Sequence, residues 1–135
     1  MSSPISTIQF VELPDKGDAR GYSFTVPLEA LEYVGRAADV HLASTEPGKI
    51  RGNHFHIKGR AAIVVLPGPK WSCHWDQGMD TQPQQRTFEG REAVLILVPP
   101  GASHAVRNDG ENSLWLASIS SETYDAADRE ERSVV

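Results

Sequence analysis

Cysteine is almost missing from this chain. Cys73 stands alone among 135 residues, so no internal disulfide can form and the fold must rest on burial and hydrogen bonding. A lone thiol fits a reducing compartment, and a cytoplasmic location is expected. Long apolar runs are missing too. The most apolar stretch, 93–98, is far short of the roughly 20 residues a membrane helix needs, so no membrane association is expected. The opening residues 1–7 lack a basic region followed by an apolar run, so no secretory leader is expected. An excess of positive charge is absent: 13 Lys and Arg face 18 Asp and Glu, a formal net charge of -5. That balance excludes a general affinity for nucleic-acid phosphates. It leaves room for a local basic pocket, for which Arg20, Lys49, Arg51, Lys58 and Arg60 are available.

Hydrophobic residues at 39% suffice for a globular core, and the length suits a single domain over 1–135. No internal repeat or low-complexity linker interrupts it. Short runs rich in strand formers alternate with Gly, Pro and Asn turns. Strands are predicted at 7–13, 21–26, 38–43, 53–57, 61–66, 70–75, 84–88, 93–98, 102–106 and 113–120. Leu28, Leu31 and Val34 have helical spacing and predict one or two turns packed on the sheet. The charged tail after Tyr124 is read as a short outer helix or a frayed end. Such a series indicates an all-β sandwich or jelly-roll barrel with at most one or two short helices.

Two segments carry the chemistry. Gly48-Lys-Ile-Arg-Gly-Asn-His54-Phe-His56 places two histidines one residue apart, so a strand projects both imidazoles to one face. Pro99-Pro-Gly101-Ala-Ser-His104-Ala-Val-Arg-Asn108 brings a third histidine in after a turn. Three converging histidines make a metal site or a general-base site. His41 and His74 lie on predicted strands with the parity to join them. Trp71, Trp75 and Trp115 are read as core or pocket wall.

These segments resemble the two motifs of the cupin superfamily. Gly48, His54, His56 and Gly68 fill the first motif, with Ala61 where the family has Glu; Pro99, Gly101, His104 and Asn108 fill the second, with Ala93 where the family has Gly. The resemblance implies a double-stranded β-helix with its core at about 38–120. The ends are similar to the nucleotide-sugar 3,4-ketoisomerases. Glu12-Leu-Pro14, then Asp18-Ala-Arg20-Gly21, match their opening; Arg51-Gly-Asn-His-Phe-His56 matches their centre. Leu116-Ala-Ser118 and Tyr124-Asp-Ala-Ala-Asp128 match their close. The related dTDP-4-dehydrorhamnose 3,5-epimerases share the Arg-Gly-x-His element. The zinc-containing cupin domain of certain capsular-polysaccharide reductases shares Arg-Gly-Asn-His-aromatic-His. The chain departs from the ketoisomerases at Phe55, Ile57, His41 and Arg129.

The resemblance implies an isomerase acting on a sugar nucleotide. His54 and His56 would transfer a proton next to the keto group of a dTDP-4-keto-6-deoxy sugar, with Arg20, Arg51, His41 and His74 binding substrate. Such a reaction requires no cofactor. Alternatively, His54, His56 and His104 hold a divalent transition metal (Zn, Ni, Fe or Mn), or the cupin binds a small ligand without catalysis. A homodimer is also implied, with the N-terminal strand 5–13 exchanged between subunits and the tail 121–135 outside the core.

Overall fold

The computed structural model describes residues 5–135; residues 1–4, part of the stretch read for a leader, lie outside the described residues. Ten strands form two five-stranded antiparallel sheets. The first contains β1 (Gln9–Leu13), β7 (Ala93–Val98), β4 (Ala61–Val65), β9 (Leu114–Ser120) and β2 (Asp39–Thr45), in that spatial order. The second runs β10 (Arg129–Glu131), β3 (Ile50–His56), β8 (His104–Asn108), β5 (Trp71–Trp75) and β6 (Gln84–Phe88). The expected jelly-roll barrel is therefore the fold, with one short helix, α1 (Leu28–Val34), and one 3-10 turn at Ala126–Asp128. No helix among the described residues is long and apolar enough to cross a membrane.

The core explains the unbroken apolar runs. β4 and β7 are buried on both faces. Ile63, Val65, Val94, Ile96 and Val98 face the second sheet. Ala62, Val64, Leu95 and Leu97 lie under α1 with Ala30 and Val34. A strand covered on both sides has no solvent face to mark with polar residues, so alternation disappears. At one end of the barrel Phe10, Trp71, Trp75 and Phe88 pack ring against ring, with centroids 4.3–5.4 Å apart. That end is filled, which leaves the histidine end as the open one.

Three expectations change. Residues 21–26 are not a strand: the Asp15 carboxylate accepts from the backbone N–H groups of Gly17 and Ser23, which folds the segment into a loop before a ladder can form. Phe24 and Val26 pack under α1 instead. β1 pairs with β7 of the same chain from Gln9↔Leu97 to Leu13↔Ala93, a pairing that exchange between subunits would make with the partner's sheet instead. The tail forms a short helix, the 3-10 turn Ala126–Asp128, as expected, but then joins the second sheet: it adds β10 to the edge of β3, with Arg129 opposite His56. Trp115 is neither core nor pocket wall; it points outward from β9 and is 54% exposed.

Candidate active site

The site begins at a defect in β3. Arg51 pairs with Val106 and His54 with His104, but the register shifts between Gly52 and His54. Asn53 is the extra residue of this bulge, and its φ of 60 lies in the left-handed region that Asn tolerates better than most residues. Without the bulge, Arg51 and His54 would face opposite sides of the sheet. With it, Arg51, His54 and His56 all line the same cavity. Gly52 has φ 118, and a Cβ there would collide with the His104 carbonyl oxygen, so the backbones of β3 and β8 touch where the histidines meet.

The cavity holds about 770 Å³. Ala43, Ile63, Val106 and Leu116 supply an apolar wall; His41, Ser118, Ser120, Asp39 and Tyr124 supply polar groups. Potential ligand atoms of His54, His56 and His104 all lie within 4.8 Å of one another. Burial and the other two imidazoles push the proton affinity of His54 down to about 3, with Arg129 adding to the effect. Burial likewise takes the fully enclosed His104 down to about 4. His56 is lowered by burial and then by Arg129, against a raising influence from Asp128. All three are therefore neutral at pH 7. His104 Nδ1 lies 3.1 Å from the Ala102 carbonyl oxygen; donating its proton there leaves the Nε2 lone pair free.

Asp128 completes the group. It is buried, accepts from the N–H groups of Lys58 and Gly59 at 2.9 and 3.2 Å, and holds Oδ2 at 3.8 Å from His56 Nδ1. It comes from the tail, as does Arg129. Arg129 was expected near the pocket, as a departure from the ketoisomerases and without a role; Asp128, Asp39, Ser118 and Ser120 were not expected there. The Tyr-Asp-x-x-Asp ending was the available signal.

The remaining expected residues divide. His41 and Arg51 line the cavity, the latter donating from Nε to the Ser44 carbonyl at 2.7 Å. Ala61, in the position of the family glutamate, is a buried wall residue. Arg20 does not reach the cavity of its own chain: it lies in the surface loop, paired with Asp18 at 2.7 Å. His74 does not reach it either. On β5 the core face is taken by Trp71, Cys73 and Trp75, so His74 shares the opposite face with Ser72, whose Oγ lies 2.9 Å from its Nε2. Burial pushes the Cys73 thiol up to about 12, which removes it as a nucleophile.

The chain is a protein of cupin-like jelly-roll fold, with three histidines converging at the open end of the barrel. The model of the polysaccharide biosynthesis C-terminal domain family matches residues 16–131, and the chain belongs to that family. No curated protein matches the sequence. Among solved structures, the chain is similar to a 3,4-ketoisomerase from Thermoanaerobacterium thermosaccharolyticum in complex with TDP-4-keto-6-deoxyglucose. The identity is 15% and the TM-score 0.71, over 93% of this chain and 88% of the other. It is also similar to a dTDP sugar isomerase from Desulfovibrio desulfuricans, at 14% identity and TM-score 0.76 over 97% and 87%. A third likeness is to a capsular polysaccharide assembling protein from Staphylococcus aureus, at 20% identity and TM-score 0.65 over 73% and 27%. At these identities the likeness is one of fold.

Proposed function

We propose that this cupin is an isomerase acting on a sugar nucleotide, moving a proton on a carbon next to the ketone of a keto-deoxy sugar. The observation that carries the reading is the His56–Asp128 pair set beside His54 in a cavity with room for a sugar. A neutral imidazole is the base the chemistry needs, and a carboxylate near its other nitrogen stabilises the imidazolium as it forms. His56 takes the proton from the carbon bearing the neighbouring hydroxyl. The electron pair moves into the carbon–carbon bond and onto the ketone oxygen, where an N–H from His54 meets the developing charge. Return of the proton to the former carbonyl carbon, with transfer of the hydroxyl proton to the former ketone oxygen, shifts the ketone by one position without net gain or loss of atoms. Arg51 supplies a planar donor fork for phosphate oxygens, and His41 a polar edge for the sugar.

The relatives solved with TDP or a TDP-linked sugar support this choice of substrate class. Incubation with TDP-4-keto-6-deoxyglucose in heavy water, followed by proton NMR, should show deuterium at a carbon flanking the ketone. Binding without exchange would reduce the protein to a ligand-binding cupin.

The clustering of three neutral nitrogens within 4.8 Å favours a second reading, a metal cupin. His54, His56 and His104 would hold a divalent transition metal (Zn, Ni, Fe or Mn), and the missing carboxylate at Ala61 leaves a three-nitrogen set, which suffices for a catalytic zinc. A bound metal would supply Lewis-acid polarisation of a carbonyl. Elemental analysis of protein purified without chelators separates the readings: near-stoichiometric metal, lost in His104→Ala, selects the second.

A further inference from the structure

Arg129 is the cavity residue that the proposed proton transfer does not use. It enters on β10 opposite His56, and its positive charge reaches all three histidines. Its Nε is fully covered and meets no acceptor among the described residues. The neighbouring Asp128 directs its oxygens to Lys58, Gly59 and His56 instead. The guanidinium lies over the Tyr124 ring at 4.9 Å, which orients the fork without using its N–H donors. The covered Nε is out of reach of the cavity, but Arg129 lines it and its guanidinium has no hydrogen-bond or ion-pair partner among the described residues, so the outer nitrogens of the fork are what a ligand oxyanion would engage. Arg51 stands at the other end, about 13 Å away along β3 by strand rise. The cavity therefore has two cationic points with the histidines between them.

We propose that Arg129 is an oxyanion receptor beside the histidines, and that the ligand is negatively charged at both ends: a diphosphate at Arg51 and a carboxylate at Arg129, as in a nucleotide-linked sugar acid, which narrows the sugar of the proposed reaction to one with a carboxylate where TDP-4-keto-6-deoxyglucose has a methyl group. The diphosphate half rests on the sugar-nucleotide reading. The receptor half stands on the cavity alone, and its shared chemistry is that of a carboxylate or a phosphate.

The full chain, Arg129→Gln and Arg129→Lys are titrated by calorimetry with UDP-glucuronate, UDP-glucose and TDP. Acetate and inorganic phosphate are followed by NMR at the Arg129 Nε–H resonance. UDP-glucuronate should bind the unmodified protein about tenfold or more tightly than UDP-glucose, the preference of one charge-assisted fork. In Arg129→Gln that preference should fall below about twofold, and Arg129→Lys should keep part of it. If TDP itself binds about tenfold more weakly to Arg129→Gln, the receptor stands but its oxyanion is the diphosphate, which overturns the sugar-acid half. If no nucleotide binds any form, the sugar-nucleotide reading fails, and a shift of the Nε–H resonance on adding acetate or phosphate upholds the receptor by itself. Should the glutamine variant unfold, the resonance shift in the unmodified protein and the lysine variant decides. Anion affinities that ignore residue 129, together with an unmoved Nε–H signal, overturn the whole proposal.

Discussion

Each residue of Arg51-Gly-Asn-His-Phe-His56 has a separate physical task. Arg51 and the histidines face the cavity, Gly52 permits the close approach of β8, Asn53 makes the bulge, and Phe55 points away beneath the Arg132 guanidinium at 4.3 Å. Gly52→Ala should destabilise the protein by about 2 kcal/mol or more, because both the φ and the contact with His104 are incompatible with a side chain. Urea denaturation measures it, and a change under about 0.5 kcal/mol would show that the bulge relaxes freely. His104 gives a pH prediction with a definite sign. Its folded value of about 4 lies below the 6.5 of the free side chain, so below pH 6.5 the unfolded chain binds a proton that the folded chain does not. Stability of chelator-treated protein should therefore fall with acidification from pH 6.5 to about 4, by up to about 1.4 kcal/mol per unit from this group. Denaturation midpoints across that range should flatten in His104→Gln; an equal slope in both proteins would remove His104 as the source.

At the scale of elements, the C-terminal strand works as a clamp on the site. Arg132 makes two bonds to the buried Asp76, at 2.6 and 2.7 Å, and a third to the Gly101 carbonyl at 2.7 Å. Ser103 Oγ donates to the Arg132 carbonyl, and the Asn53 side chain accepts from Val134 N–H at 2.8 Å. These bonds hold β10 on β3, and with it Asp128 and Arg129 at the histidines. Removing one partner of a buried ion pair strands the other, so Arg132→Ala should cost about 3 kcal/mol. Amides 128–131 should then exchange with heavy water faster than those of β7. Equal protection of both segments would mean that β10 holds its place without the clamp.

At the scale of the molecule, the two sheets are unequally covered. α1 shields the outer face of β4 and β7, but Val40, Leu42 and Trp115 on the outer face of β2 and β9 are 61%, 71% and 54% exposed. An uncovered apolar face beside an edge strand is a liability that association relieves. The homodimer expected from the sequence is therefore predicted to use this face. Light scattering at micromolar concentration should return about twice 14.8 kDa, falling to one chain in Leu42→Glu. A monomer in both cases would refute it.

Local pattern carried the barrel and the three histidines. Turn residues bounded the short strands, the helical spacing of Leu28, Leu31 and Val34 marked α1, and period-two parity put His54 and His56 on one face. These are properties of neighbouring residues, and chain geometry enforces them wherever the segment lies. Long-range packing settled the rest. His74 had the parity for a pocket, but which face of β5 turned inward depended on where Trp71, Cys73 and Trp75 were buried. Arg20 matched a motif, yet the Asp15-centred loop keeps it at the surface. Arg129 and Asp128 are more than 70 residues from His54 along the chain and reach it through a strand pairing that no local pattern marks. Asp128 then finds buried N–H donors at Lys58 and Gly59, and Arg129 finds a cavity and an aromatic ring, only because the tail closes on β3.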